Sequence, residues 1–255
     1  MMNIHTVKIG MAQIFCLDGD REGNFTRIEY AIQEATEKGA QIVCFPEMAV
    51  LGWVNPEAHQ RAFPIPGEDT KRLCNLARQY NIFLCIGVEE KNSDQLHNSS
   101  VLIDDQGNLL LKHRKMNILS ELMKPSYVPG TEINVISTKY GTIGMLICAD
   151  TFVTEHLQRL AEQKPDLVLV PFGWAAPEES WPRHGEELKR VVIHAARAVN
   201  APVVGTDLVG MISNGPWRGR TYGGQSLAVD KNGNILAQAR DRDRDVVVVD
   251  VQVNR

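Results

Sequence analysis

The sequence predicts an α/β protein built as a four-layer α-β-β-α sandwich with an internal pseudo-two-fold, and three observations carry that expectation. Short apolar runs of strand length alternate with longer segments of helical spacing. The order of these segments occurs twice, displaced by about half the chain, as expected of two similar halves. The strand runs are apolar throughout, so helices covering one face of each sheet leave the other faces to bury against each other. A single doubly wound sheet is the alternative arrangement of the same elements. The chain has 255 residues, 44% of them hydrophobic, which suits one domain spanning 1–255 with a sizeable core.

The elements follow in order. Residues 7–15 read as a first strand. The segment 24–38 carries Phe25, Ile28, Ala31, Ile32 and Ala35 at helical spacing and stops at Gly39. Residues 41–45 form a short buried strand ended by Pro46, with Glu47 next. A loop over 49–66 holds Gly52, Trp53, Pro56 and Pro64. A helix over 70–80 and a buried strand over 82–88 follow, and strands 99–103 and 109–111 flank the turn Asp104-Asp105-Gln106-Gly107-Asn108.

The second half repeats this. Ile9-Gly10-Met11 returns as Ile143-Gly144-Met145, and Pro46 after its strand as Pro171 after strand 167–170. Ala77 to Asn81 returns as Ala196 to Asn200, and the Asp104 to Asn108 hairpin as Asp230 to Asn234. Between the first two of these echoes, the buried strand 143–148 runs into a helix expected over 151–163, with Asp150 or Thr151 to cap it. Cys148 then sits on a sharp turn beside free backbone N–H groups, where a helix N-terminus lowers a thiol's pKa. The charged run 241–245 reads as a solvated turn before a last strand at 246–249.

Composition narrows the function. A net charge of −4 gives no basic footprint for nucleic acid or an anionic membrane. The five cysteines are an odd set without a CxxC pair, as in a reduced intracellular protein. Residues 1–15 lack the basic and apolar regions of a signal peptide, and no apolar run approaches a membrane span. A soluble, cytoplasmic protein is expected. The seven histidines show no paired-ligand spacing, so no metal site is expected.

Glu47, Lys115 and Cys148 each stand just past the C-terminal end of an expected strand, where α/β sites gather. Together they would supply a base, an oxyanion donor and a nucleophile. Taken singly, each also reads as an ordinary surface charge or a buried structural thiol.

Phe45-Pro46-Glu47, His113-Arg114-Lys115 and Ile147-Cys148-Ala149-Asp150, in this order, resemble the three signatures of the nitrilase superfamily, the carbon–nitrogen hydrolases. Asn98-Ser99-Ser100, Pro129-Gly130 and Gly223-Gly224-Gln225-Ser226 extend the resemblance over roughly residues 7–251. The resemblance implies the same α-β-β-α fold and a thiol-dependent hydrolase of amide or N-carbamoyl C–N bonds. It would act through a cysteine thioester and release ammonia. Glu47 would be the general base, Lys115 the oxyanion stabiliser, Cys148 the nucleophile and the Ala149 N–H a second oxyanion donor. No metal or organic cofactor is implied, and a homodimer or larger assembly is. Many relatives carry a second glutamate after the lysine; Glu121 matches it best and is assigned to orienting Lys115 and the substrate amide.

The chain also departs from the pattern. Ala149-Asp150 follows the cysteine where nitrilases have Trp-Glu, which favours a small-molecule amide or carbamoyl substrate over a nitrile. Nitrile hydrolysis by the same triad is the alternative, as is a non-catalytic binding protein retaining the fold. A Cys–His hydrolase using His113 is a further rival. Phe172, Trp174, Trp53 and Tyr127 are the candidate pocket walls, and Trp53 with Trp174 would suit an apolar or aromatic acyl group.

Overall fold

The computed structural model describes residues 4–254, so the extreme ends of the expected 1–255 domain, including Met1 to Asn3 of the region read for a leader, lie outside the described residues. The first half runs β1 (Ile4–Gln13), α1 (Arg21–Glu37), β2 (Ile42–Cys44), α2 (Ala58–Arg61), α3 (Glu68–Tyr80), β3 (Phe83–Asn92), β4 (Gln95–Ile103) and β5 (Leu109–Arg114). The second runs β6 (Val135–Thr138), β7 (Gly141–Met145), α4 (Thr154–Glu162), β8 (Leu167–Pro171), β9 (Ala175–Ala176), α5 (Gly185–Val199), β10 (Val203–Thr206), β11 (Val209–Met211), β12 (Thr221–Gly223), β13 (Leu227–Val229) and β14 (Ile235–Gln238). The last strand, β15 (Asp245–Asn254), returns to the first half beside β1.

Two six-stranded sheets have the orders β15-β1-β2-β3-β4-β5 and β14-β13-β10-β8-β7-β6. Read from β1 and from β7, the two are the same sheet. Each begins with a parallel trio, β1-β2-β3 or β7-β8-β10. Each continues through an antiparallel pair, β4-β5 or β13-β14, and carries one antiparallel strand, β15 or β6, on the other flank. The repeat extends to detail. Asn81 and Asn200 both cap their helices in the left-handed region, φ 51 and 54. Asp104 and Asp230 fold matching turns by accepting from Asn108 and Asn234.

Three apolar clusters mark the layers. Val7, Ile9, Met11, Cys85 and Leu102 of one sheet meet Ile143, Met145, Leu167 and Val204 of the other in the central seam. Phe25, Ile28, Leu73 and Ala77 cover the outer face of the first sheet, and Leu157, Leu160, Val192 and Val199 that of the second. Both faces of each sheet are therefore buried, which is why the strands show no polar alternation. Among the described residues, no helix is long and apolar enough to cross a membrane.

The largest departure from expectation is at the turn after β7. A 3₁₀ turn occupies Cys148–Phe152, and α4 starts only at Thr154 with no side-chain cap. Asp150 does not cap α4 because its carboxylate is already taken by Ile147, Met116 and Asn117 N–H groups. A small third sheet, β11-β12-β9, was absent from the sequence expectation; its strands are too short to show a period.

Candidate active site

Glu47, Lys115 and Cys148 come together past the ends of their strands, where the two halves meet, each completely or almost completely buried. Glu47 follows β2 and is held by backbone from both halves. Its N–H donates to Phe172 O (3.2 Å), while Gly87 of β3 donates to Pro46 O (3.0 Å) and accepts from Ala49 N–H (2.9 Å). Glycine is required at 87, because a Cβ there would lie 2.5 Å from Met48 N and 2.6 Å from Glu47 Cα. Lys115 follows β5. Its N–H donates to Asn98 O (2.8 Å) and its carbonyl accepts from Gly130 N–H (2.9 Å). Cys148 sits at φ 42, a left-handed conformation that costs a non-glycine residue on the order of 1–3 kcal/mol.

The Lys115 ammonium meets Glu47 Oε1 at 2.7 Å, and Asn98 Nδ2 donates to the same oxygen at 2.6 Å. Glu47 Oε2 is buried with no hydrogen-bond partner among the described residues and borders Gly173, whose Cβ would be 3.1 Å away. Burial pulls the Lys115 ammonium down, but Glu47 and Cys148 outweigh it and hold the group above its ordinary range. Lys115 therefore stays charged, and an ammonium has two further N–H groups beyond the one given to Glu47.

Cys148 departs from expectation. Burial pushes its thiol well above the ordinary range and the Glu47 charge adds to this, while Lys115 and the Gly173 N–H offset it only in part. A single 3₁₀ turn does not outweigh this desolvation. The turn's first backbone bond is Asp150 N–H to Ile147 O (2.9 Å), so the Ala149 N–H precedes the bonded series.

Asp150 ties the lysine segment to the cysteine turn. Its Oδ1 accepts from Met116 N–H (2.9 Å) and Asn117 N–H (2.8 Å), and its Oδ2 from His113 Nε2 (2.8 Å) and Ile147 N–H (3.1 Å). His113 is thereby held by Asp150 and is absent from the cleft lining.

A cleft of about 390 Å³ opens onto Cys148 and Ala149. Trp53 and Trp174 line it, as the sequence suggested, together with Leu119, Phe152, Ala175 and Trp217. Tyr127 lines a narrow inner recess with Asn98 and Lys115, and its hydroxyl accepts from Val54 N–H at 3.0 Å. Two expectations fail. Phe172 is fully buried beneath Gly205 and outside the cleft, because it closes the core under β10; Gly173 and Trp174 form the wall instead. Glu121 is exposed, with no ion pair or hydrogen bond among the described residues. Its neighbours Leu122 and Met123 turn into the core and direct it outward.

Sequence reasoning missed Asn98 as a partner of Glu47, the Asp150 clamp, and the Trp217 wall. The Asn98 signal was present in Asn98-Ser99-Ser100. Trp217 lies in a loop between strands of the unforeseen third sheet and carried none.

The family model for carbon-nitrogen hydrolases matches residues 8–255. A nitrilase of Pyrococcus abyssi is 26% identical over 97% of this chain and 90% of its own. An (R)-stereoselective amidase of a Pseudomonas species is 28% identical over 96% and 85%. An N-carbamoylputrescine amidase of Oryza sativa is 28% identical over 97% and 86%. Among solved structures, an amidase from Nesterenkonia sp. superimposes with a TM-score of 0.83 at 24% identity, over 96% of this chain and 90% of that one. A carbon-nitrogen hydrolase from Helicobacter pylori gives 0.85 at 21%, over 96% and 89%. Matched by that family model over residues 8–255, the chain belongs to the carbon–nitrogen hydrolase family.

Proposed function

We propose that the protein hydrolyses a small primary amide or N-carbamoyl compound through a Cys148 thioester. Glu47 carries this reading. Lys115 and Asn98 occupy Oε1, which leaves the buried Oε2 as the oxygen able to take a proton. A thiol held above its ordinary pKa range is inert until a base removes its proton.

In the proposed cycle, Sγ attacks the amide carbon as its proton passes to Glu47 Oε2. The carbonyl electron pair becomes an oxyanion, which a free N–H of Lys115 Nζ and the Ala149 N–H stabilise; one such donor is typically worth about 3 kcal/mol. The C–N bond then breaks, Glu47 returns its proton to nitrogen, and ammonia leaves. Water attacks the thioester with Glu47 again as base, releasing the acid and restoring the thiol. The related Nesterenkonia amidase has a structure showing covalent addition of the acetamide moiety of fluoroacetamide at its active-site cysteine, which supports the nucleophile assignment by analogy.

The test is ammonia release across aliphatic, aromatic and N-carbamoyl amides, comparing wild type with Glu47→Gln, Lys115→Ala and His113→Ala. Loss in the first two by at least about 10²-fold, with a smaller loss in His113→Ala, supports the triad. The reverse ordering supports a Cys–His enzyme.

A further inference from the structure

The cleft above Cys148 is lined mainly by aromatic and aliphatic residues and carries one guanidinium. Arg220 lines it together with Trp217, His184 and Glu187. The Arg220 guanidinium lies over the Trp217 ring, 4.0 Å from the centroid, and among the described residues its side chain makes no ion pair and no hydrogen bond. It is held in place by more than that stacking. Arg220 N–H donates to Trp217 O (3.0 Å), Ile212 N–H donates to Arg220 O (2.9 Å), and Gly219 N–H donates to Ile212 O (2.8 Å), closing the loop onto the end of β11. Trp217 in turn meets Trp53 edge to face at 6.0 Å, so a continuous aromatic wall runs from the rim toward Lys115.

The other cation beside the cleft has a partner. Lys115 is paired with Glu47 (2.7 Å), and the exposed Glu187 rests against His184 Nδ1 (3.1 Å). Burial holds His184 below the ordinary histidine range, so near pH 7 it is a neutral ring stacked on Trp174. Among the described residues lining the cleft, Arg220 is therefore the one cation without a charged partner. A planar guanidinium suits a carboxylate, which can accept from two of its N–H groups at once.

We propose that Arg220 is the substrate's distal anchor and that the natural substrates are amides whose acyl chain, lying along the aromatic wall, ends in a carboxylate. This rests on the amide-hydrolase reading above and specifies the acid part of the substrate. The leaving ammonia sits at the Cys148 end and the carboxylate at the rim, so the product is a dicarboxylic acid.

The experiment compares the monoamides of succinic, glutaric, adipic and terephthalic acids, each against its methyl ester, as kcat/KM for wild type, Arg220→Gln and Arg220→Lys. Wild type should prefer at least one free acid over its ester by about tenfold to a hundredfold, the worth of a charge-assisted hydrogen bond. Arg220→Gln should abolish that preference and Arg220→Lys retain part of it. Equal turnover of acid and ester by wild type, or a preference that survives in Arg220→Gln, overturns the proposal while leaving the hydrolase reading intact. If no compound yields Cys148-dependent ammonia, the hydrolase reading fails, and calorimetry on Cys148→Ala still decides the role of Arg220. Tighter binding of a free acid than of its ester, lost in the double variant with Arg220→Gln, supports the anchor; equal or absent binding refutes it.

Discussion

Asp150→Asn shows how much one buried carboxylate contributes to holding the site. Among the described residues, the hydrogen-bond partners of its carboxylate, Met116 and Asn117 N–H at Oδ1 and His113 Nε2 and Ile147 N–H at Oδ2, all act as donors. An asparagine offers one oxygen. In its better orientation that oxygen keeps Met116 and Asn117, the NH₂ turns to His113 in its other tautomer, and the buried Ile147 N–H is orphaned. An orphaned buried donor costs about 1–3 kcal/mol, and neutralising the acceptor weakens each remaining bond by about 1 kcal/mol, for a total of roughly 3–5 kcal/mol. Burial alone would raise the Asp150 pKa, but the His113 contact and the backbone donors hold it below the ordinary range. Its contribution is thus present above the unfolded value of about 3.9 and is lost as pH falls through the lower folded value. Met116 follows Lys115 and Ile147 precedes Cys148, so relaxation separates the ammonium from the thiol. A misplacement of about 1 Å costs on the order of 10² in rate. Urea unfolding and kcat/KM on one amide give both numbers. A variant within about 1 kcal/mol of wild-type stability, with near-normal turnover, would refute the clamp.

Further outcomes follow from other contacts. Gly87→Ala places a methyl group against the backbone of Met48 and Glu47, so amide turnover should fall by about 10²-fold or more although residue 87 is outside the cleft; unchanged kcat would contradict the cradle. Glu89 is fully buried, accepts from Leu51 N–H (3.1 Å), and is pushed by burial to about 8. Its folded pKa is raised, so the stability tied to its neutral form is present below the unfolded value of 4.5 and is lost as pH rises through about 8. Wild type should therefore weaken by a few kcal/mol, to order of magnitude, between pH 5 and 8.5 relative to Glu89→Gln, and parallel denaturation curves would disprove this. Trp174→Ala removes the ring that stacks on His184 (5.2 Å) and meets Phe152 edge to face (5.6 Å), and should raise KM for aromatic amides about tenfold. Wild-type KM values would remove Trp174 from acyl recognition.

The sandwich was readable because its halves repeat a hydrophobic pattern that both sheet orders then reproduce, and because strands buried on both faces need two covering layers. Glu47, Lys115 and Cys148 were readable because each follows a strand that could itself be recognised. Glu121 was misplaced because the segment between β5 and β6 has no period, so nothing in the sequence distinguishes the outward Glu121 from the inward Leu122. Asp150 looked like a helix cap, since capping is local and its true partners, 116 and 117, are distant in sequence. The thiol's environment was misread for a related reason. Helix-end effects can be inferred from a turn, whereas desolvation depends on burial by residues distant in sequence. Arg220 and Trp217 reach the cleft only through the β11–β12 loop, which no pattern announces.

The central claim is that Cys148 carries the acyl group. Rapid quenching of the enzyme with a turned-over amide, followed by intact mass, tests it directly. Wild type should carry an adduct equal to the substrate less ammonia, mapped to Cys148 and absent from Cys148→Ala, which should also release no ammonia. Ammonia release by Cys148→Ala, or an adduct on another residue, would contradict it.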